Sequence, residues 1–196
     1  MRKSLKYLKV AAIAAAVVGG QAFAQGLDEA GAYLYSNYVT DDMLLNADKD
    51  ANNWLHYGRD YSATRYSPLA QINVHNINRM VPKWNLSFGV LDGQDSQAIA
   101  VNGTLYVTSS YNKVWSVEGA TGKVNWKHER ELPGDVFPKL CCDVVNRGVA
   151  PYRNKVYLAT LDAHVVALDN QTGKVVWDKK VGDYTYAETF TIMPMA

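Results

Sequence analysis

Cys141 and Cys142 are the only cysteines among 196 residues, and they are neighbours in the stretch KLCCDVVNRG, positions 139–148. As metal ligands they are poor candidates. Zinc sites draw on four ligands at recognisable spacings, and neither C-x-x-C nor H-x-x-x-H accompanies the pair. His56, His75, His128 and His164 are scattered, and the C-x-x-C-H signature of covalent haem is missing. Two readings stay open. Reduced, the thiols would pack as small hydrophobes. Bonded, they would close a small, taut ring, because Cα atoms across a trans peptide lie about 3.8 Å apart whereas ordinary disulfides span about 4.4–6.8 Å. Such a ring encloses almost no chain, so its loop-entropy stabilisation is negligible. What it offers is a rigid, polarisable, rather flat surface.

The elements that must position this pair begin with an export signal. Arg2, Lys3, Lys6 and Lys9 open the chain, residues 10–20 are apolar or small, and Ala22-Phe23-Ala24 presents a small-x-small cleavage site. The pattern predicts a signal peptide over 1–24, with Gln25 as the mature N-terminus. The apolar run falls short of the roughly 20 residues a spanning helix needs, and no later segment is long and apolar enough either. An exported chain works where thiols oxidise, which favours the bonded pair. Formal net charge is +1, without the basic surplus that nucleic-acid binding requires.

Two stretches align without a gap: LYVTSSYNKVWSVEGATGKVNW at 105–126 and VYLATLDAHVVALDNQTGKVVW at 156–177. Tyr106 and Tyr157, Gly122 and Gly173, Trp126 and Trp177 are each 51 positions apart. In each copy, Val/Tyr/Leu-rich runs alternate with turn chemistry. Asn102-Gly103 or Arg153-Asn154 comes first, then Ala120-Thr121-Gly122 or Gln171-Thr172-Gly173. The glycine of the second turn is expected to adopt a positive φ that side-chained residues resist. Each copy thus reads as a four-stranded antiparallel unit closed by a tryptophan that packs on its neighbour. A repeat of this length is the mark of a β-propeller blade. Two blades do not close a ring, so the missing faces require either self-association as a homodimer or a longer chain.

The stretches HYGRDYSATRYSPLAQIN, GQDSQAIAVNGTLYVTSSYNKVWSVEGATGKVNW, CCDVVNRGVA and LDAHVVALDNQTGKVVW carry a resemblance. From about Trp54 onward the chain resembles the pyrroloquinoline quinone (PQQ)-dependent methanol/ethanol dehydrogenases of the bacterial periplasm. The TGK-x-x-W turns alone are moderately specific, since non-catalytic propeller scaffolds of outer-membrane assembly also carry them. CCDVVNRG joined to those turns is highly specific. The resemblance implies an all-β, eight-bladed propeller. Of this the chain would supply an N-terminal extension (25–53) and a partial propeller (54–196), about two blades and the opening strand of the next. It implies a Cys141–Cys142 disulfide packed against one face of PQQ. It also implies that Arg147 and Thr191 bind the cofactor's oxygens and that Asp95 binds its rim where relatives carry glutamate. Arg147 suits that role because a guanidinium forms a planar fork to carboxylates. Without a ligand, it would read as the partner of Asp143.

The activity implied is oxidation of a primary alcohol to an aldehyde, with electrons leaving to a periplasmic cytochrome c. A calcium or lanthanide ion is implied as Lewis acid, its ligands and the catalytic base matching no residue of 1–196. Some relatives hold a further structural calcium near Asp48, Asp50 and Asn53. Calcium takes about six to eight oxygens, so a solvated acidic loop is the more economical reading of that cluster. The remaining alternatives are a non-catalytic scaffold, which leaves CCDVVNRG unexplained, and a truncated product without function.

Overall fold

The computed structural model describes residues 26–27, 33–35 and 37–196; the export segment and its cleavage site lie outside them. A short antiparallel pair, β1 (Gly26–Leu27) and β2 (Tyr33–Tyr35), comes first. Helix α1 (Asp41–Leu45) follows. Thr40 starts it by accepting the Met43 N–H on its side-chain oxygen at 3.2 Å, and Asp41 and Asp42 place negative charge in the first turn. No helix among the described residues is long and apolar enough to cross a membrane.

The two repeat copies form two four-stranded antiparallel sheets. The first runs β3 (Ile99–Val101), β4 (Thr104–Ser109), β5 (Lys113–Glu118) and β6 (Val124–His128) in sequential order. The second runs β7 (Ala150–Tyr152), β8 (Lys155–Ala159), β9 (His164–Asp169) and β10 (Val175–Lys180) in the same way. Both are meanders of the kind expected for propeller blades. Buried Ile99, Val101, Val114, Val156, Leu158 and Val166 anchor one core shared by the two sheets. The N-terminal segment adds one bridge at each blade's first strand: Trp54 pairs with Ala100 in β3, and Val39 with Arg153 just beyond β7.

The turn glycines behave as expected, with φ of +75° at Gly122 and +68° at Gly173. Space adds a second reason for glycine. A Cβ on Gly173 would sit 2.4 Å from Trp126 Cε3, and one on Gly122 would sit 2.5 Å from Trp84 Cδ2. Each indole therefore lies flush on the next unit's turn. Trp126 Nε1 donates to Asn170 O at 3.0 Å, and Trp84 Nε1 donates to Gly119 O at 2.9 Å. Gly119 and Asn170 are 51 positions apart, so the two contacts are one contact repeated. An irregularity recurs at the same place in both blades. The ladder skips Asn125 before Trp126 and Val176 before Trp177, a bulge that re-aims the tryptophan.

Trp126 is 7% exposed, but Trp177 is 40% exposed and β10 is exposed throughout. Of the two tryptophans expected to close blades by packing, only the first has its receiving turn in this chain. The opening strand expected after the second blade is also not regular structure. Residues 187–196 form no strand, because no second strand pairs with them here.

Candidate functional site

CCDVVNRG is a descent from solvent into the core and back. Cys141, Cys142 and Asp143 are exposed, and the two cysteine sulfurs are bonded to one another with Cα atoms 3.8 Å apart. Asp143 turns the chain through a left-handed conformation (φ +62°), its carboxylate accepting the Val144 N–H at 2.8 Å. Val144 and Val145 then bury at 6% and 5% exposure and anchor the loop. Asn146 follows at 1% exposure with its polar atoms satisfied. Its Nδ2 donates to Ala159 O, its Oδ1 accepts from Gly148 N, and its backbone oxygen accepts from Thr108 Oγ1. Such complete pairing is what burying an amide demands. Gly148 (φ +135°) closes the motif where a Cβ would lie 3.1 Å from both Gln97 O and Met193 Sδ.

Between the buried asparagine and the crowded glycine, Arg147 returns to the surface half-exposed. Its backbone stitches three chain segments: Gln97 N donates to Arg147 O at 3.1 Å, and Arg147 N donates to Thr191 O at 3.0 Å. The first leads into the first blade, the second into the second blade, and the third lies after it, so the three are held side by side. The side chains meet as the backbones do. Arg147 Nη1 donates to Thr191 Oγ1 at 2.6 Å, and Nη2 lies 3.7 Å from Asp95 Oδ2. Three of the residues singled out from sequence, Asp95, Arg147 and Thr191, thus form one group around the arginine of CCDVVNRG. Asp143 is not the arginine's partner; Asp95 is. An ion pair with side chains 35% and 54% exposed contributes only about 0–1 kcal/mol. Fold stability therefore does not account for assembling these groups at an open surface.

A second layer was not foreseen. Tyr111, at the tip of the β4–β5 hairpin, donates its N–H to Val144 O at 3.0 Å. The nearby Asp92 carboxylate, with burial and the charge of Asp143, pushes its phenol above the ordinary tyrosine pKa. Ser110 Oγ donates to Gly93 O at 2.5 Å, and Gln94 Nε2 donates to Ser110 Oγ at 2.8 Å. The hairpin tip thus grips both the loop bearing Asp95 and the loop bearing the cysteines. The sequence signal available was a bulky tyrosine where a tight hairpin turn prefers Asn or Gly.

Asp48, Asp50 and Asn53 lie elsewhere, and hydrogen bonds occupy the side-chain oxygens of Asp50 and Asn53 and the backbone oxygen of Asp48. Asp50 Oδ2 accepts from Asn53 Nδ2 at 2.6 Å, Asn53 Oδ1 accepts from Asn102 N at 2.7 Å, and Asp48 O accepts from Arg59 at 2.9 Å. Among the described residues no three His, Cys, Asp or Glu side chains group as a metal site would require.

The family described as "PQQ: Glucose/ethanol/alcohol dehydrogenase, beta-propeller domain" matches residues 54–188. A quinoprotein ethanol dehydrogenase of Pseudomonas aeruginosa is 46% identical over 175 residues, which is 88% of this chain and 28% of that protein. The dehydrogenase subunit of an alcohol dehydrogenase (quinone) from Komagataeibacter europaeus is 37% identical over 177 residues, 90% of this chain and 23% of that one. Among solved structures, a europium-containing methanol dehydrogenase superposes with a TM-score of 0.75 at 35% identity, over 80% of this chain and 28% of its own. The chain spans about a quarter of the length of these relatives. With the family match covering more than half of its length, the chain belongs to the PQQ-dependent alcohol dehydrogenase β-propeller family.

Proposed function

We propose that this chain forms one wall and part of the rim of a PQQ site in an exported enzyme that oxidises primary alcohols to aldehydes. The convergence of Asp95, Arg147 and Thr191, with Arg147 five residues beyond the exposed Cys141–Cys142 pair in the same loop, carries the reading. The fit is chemical as well as spatial. PQQ is flat and carries three carboxylates, and the loop presents an exposed polarisable ring and, five residues on, one half-exposed guanidinium. Thr191 Oγ1 and Asp95 Oδ2 hold that guanidinium on two sides, so its fork is oriented before any ligand arrives. Asp95 is shorter by one methylene than the glutamate of relatives, and it faces Arg147 rather than standing free.

When bound, PQQ supplies hydride-accepting chemistry, with a calcium or lanthanide ion polarising it as a Lewis acid. The residues of this chain would hold and orient the cofactor. The catalytic base and the principal metal ligands match no position within 1–196, so no turnover is expected from the chain by itself. Its electrons would leave to a periplasmic cytochrome c, and cleavage after Ala24 would release the chain into that compartment. The domain division follows the same reading: signal peptide to 24, extension to 53, partial propeller thereafter.

Equilibrium dialysis of PQQ against the mature chain tests the proposal. Binding is expected without alcohol-dependent dye reduction. Arg147→Met should weaken binding about ten- to a hundredfold, matching loss of a charge-assisted hydrogen bond of roughly 1.5–3 kcal/mol. Replacing both cysteines by serine should weaken it with circular dichroism unchanged. Equal binding by all three proteins would sink the reading.

A further inference from the structure

Two adjacent residues at the β4–β5 hairpin tip, Tyr111 (φ +67°) and Asn112 (φ +56°), lie in the left-handed region. Asparagine tolerates that region, whereas a bulky aromatic there is a genuine outlier. The equivalent hairpin of the second blade shows that the architecture does not require it. There Ala163 is left-handed at +65°, matching Asn112, while Asp162, the counterpart of Tyr111, is not among the positive-φ residues. The strain at Tyr111 is therefore peculiar to the first blade, and strain of this kind persists only where surrounding contacts enforce it.

Those contacts all lead to the cofactor site. The Tyr111 N–H donates to Val144 O at 3.0 Å, two residues beyond Cys142. Its ring stands edge-on to Phe137 at 5.9 Å between centroids and 76° between planes, in the segment just before the cysteines. Its neighbour Ser110 donates to Gly93 O at 2.5 Å, two residues before Asp95, and its phenol feels the charge of Asp92. Asn112 anchors the tip from the other side, accepting the Leu161 N–H at 2.8 Å on its Oδ1. The Tyr111 side chain thus touches the approach to the disulfide, its backbone holds the exit, and the adjacent Ser110 holds the loop bearing the carboxylate.

We propose that Tyr111 is a positioning residue for the cofactor wall: it fixes the height and tilt of the Cys141–Cys142 ring relative to the Asp95–Arg147–Thr191 group. The inference rests on the cofactor-site reading above. Tyr111 acts through the loop and touches no reacting atom.

Two substitutions separate positioning from simple turn-making. Tyr111→Asn suits the left-handed backbone better than tyrosine and keeps the N–H bond to Val144, but it removes the ring and the phenol. Tyr111→Phe keeps the ring on Phe137 and loses only Asp92. Hydrogen–deuterium exchange of the mature chain should show segment 141–146 exchanging about five- to tenfold faster in Tyr111→Asn. The unfolding temperature should be unchanged or raised. Tyr111→Phe should fall between that variant and the parent, and PQQ affinity by dialysis should follow the same order. If Tyr111 served only the turn, the better-suited asparagine would leave exchange at 141–146 unaltered, and that result overturns the proposal. Should the parent chain bind no PQQ, the cofactor reading fails, while exchange at 141–146 still decides whether Tyr111 sets the loop.

Discussion

Gly103 and Gly173 both sit at positive φ, +83° and +68°, yet their surroundings differ completely. A Cβ on Gly103 would meet nothing within 4 Å, whereas one on Gly173 would lie 2.4 Å from Trp126 Cε3 and 2.7 Å from Cδ2. Gly103→Ala therefore carries only the penalty for a left-handed alanine, about 1–2 kcal/mol. Gly173→Ala carries that penalty and must also displace the indole. Trp126 cannot yield cheaply, because it is 7% exposed, lies 5.9 Å from the Tyr106 ring and donates to Asn170 O at 3.0 Å. Overpacking a filled site adds about 1–3 kcal/mol, and straining the indole hydrogen bond adds about 1 kcal/mol. The expected loss is about 3–6 kcal/mol for Gly173→Ala, about 2–4 kcal/mol beyond Gly103→Ala. Urea unfolding followed by tryptophan fluorescence at neutral pH measures the difference directly. Trp126→Phe in the Gly173→Ala background should recover part of it, as expected for residues in contact. If the two alanine variants lose the same stability within about 0.5 kcal/mol, a typical additivity error, the indole does not bear on the turn and the blade-to-blade contact is misjudged.

A second prediction concerns acid. Arg130 forks onto Asp162 with contacts of 2.7–3.0 Å and reaches Asp178 at 2.7 Å, tying the outer part of the first blade to the second. Burial is the largest single influence and pushes both carboxylates up, but the Arg130 hydrogen bonds, those of Thr160 to Asp162 and His164 to Asp178, and the Arg130 and His164 charges together hold both below the usual carboxylate range. Their stabilisation is complete above the unfolded-chain pKa near 4 and is lost as pH falls through the lower folded values. Arg130→Met, which strands Asp162 at 6% exposure, should lose about 3–5 kcal/mol at pH 7. The gap to the parent should narrow toward pH 3 in denaturant titrations. His128 gives a third. Burial, assisted by the Arg130 charge, lowers its pKa, and its Nε2 has no hydrogen-bond partner. The unfolded chain therefore binds a proton near pH 6.5 that the folded chain refuses, so stability should decline as pH falls below about 6.5. His128→Gln should flatten that limb of the profile while leaving the steeper loss below pH 4.

The blades were legible because everything that makes them is local and occurs twice. Alternating runs, the Asn102-Gly103 turn and the TGK turn lie within a few residues of one another, and an offset of 51 exposes the duplication. Trp84 escaped notice for the converse reason. It stands 42 positions before Trp126 and lacks the TGK turn, although it makes the same contact on Gly122 and Gly119. The site was less legible still, since Asp95, Arg147 and Thr191 are far apart in sequence and meet only because successive segments are stitched through Gln97, Arg147 and Thr191. Resemblance named those residues; spacing did not. The repeat nonetheless holds a clue. Positions identical in the two copies, such as Gly122 and Gly173, make the fold, and a second copy is bound by the same geometry to keep them. Chemistry specific to one place in a ring must instead fall where the copies diverge. Arg147 answers to Ser96, and Tyr111 answers to Asp162. Both divergent residues, the one that carries the charge and the one that bears the strain, belong to the group around the cysteine loop.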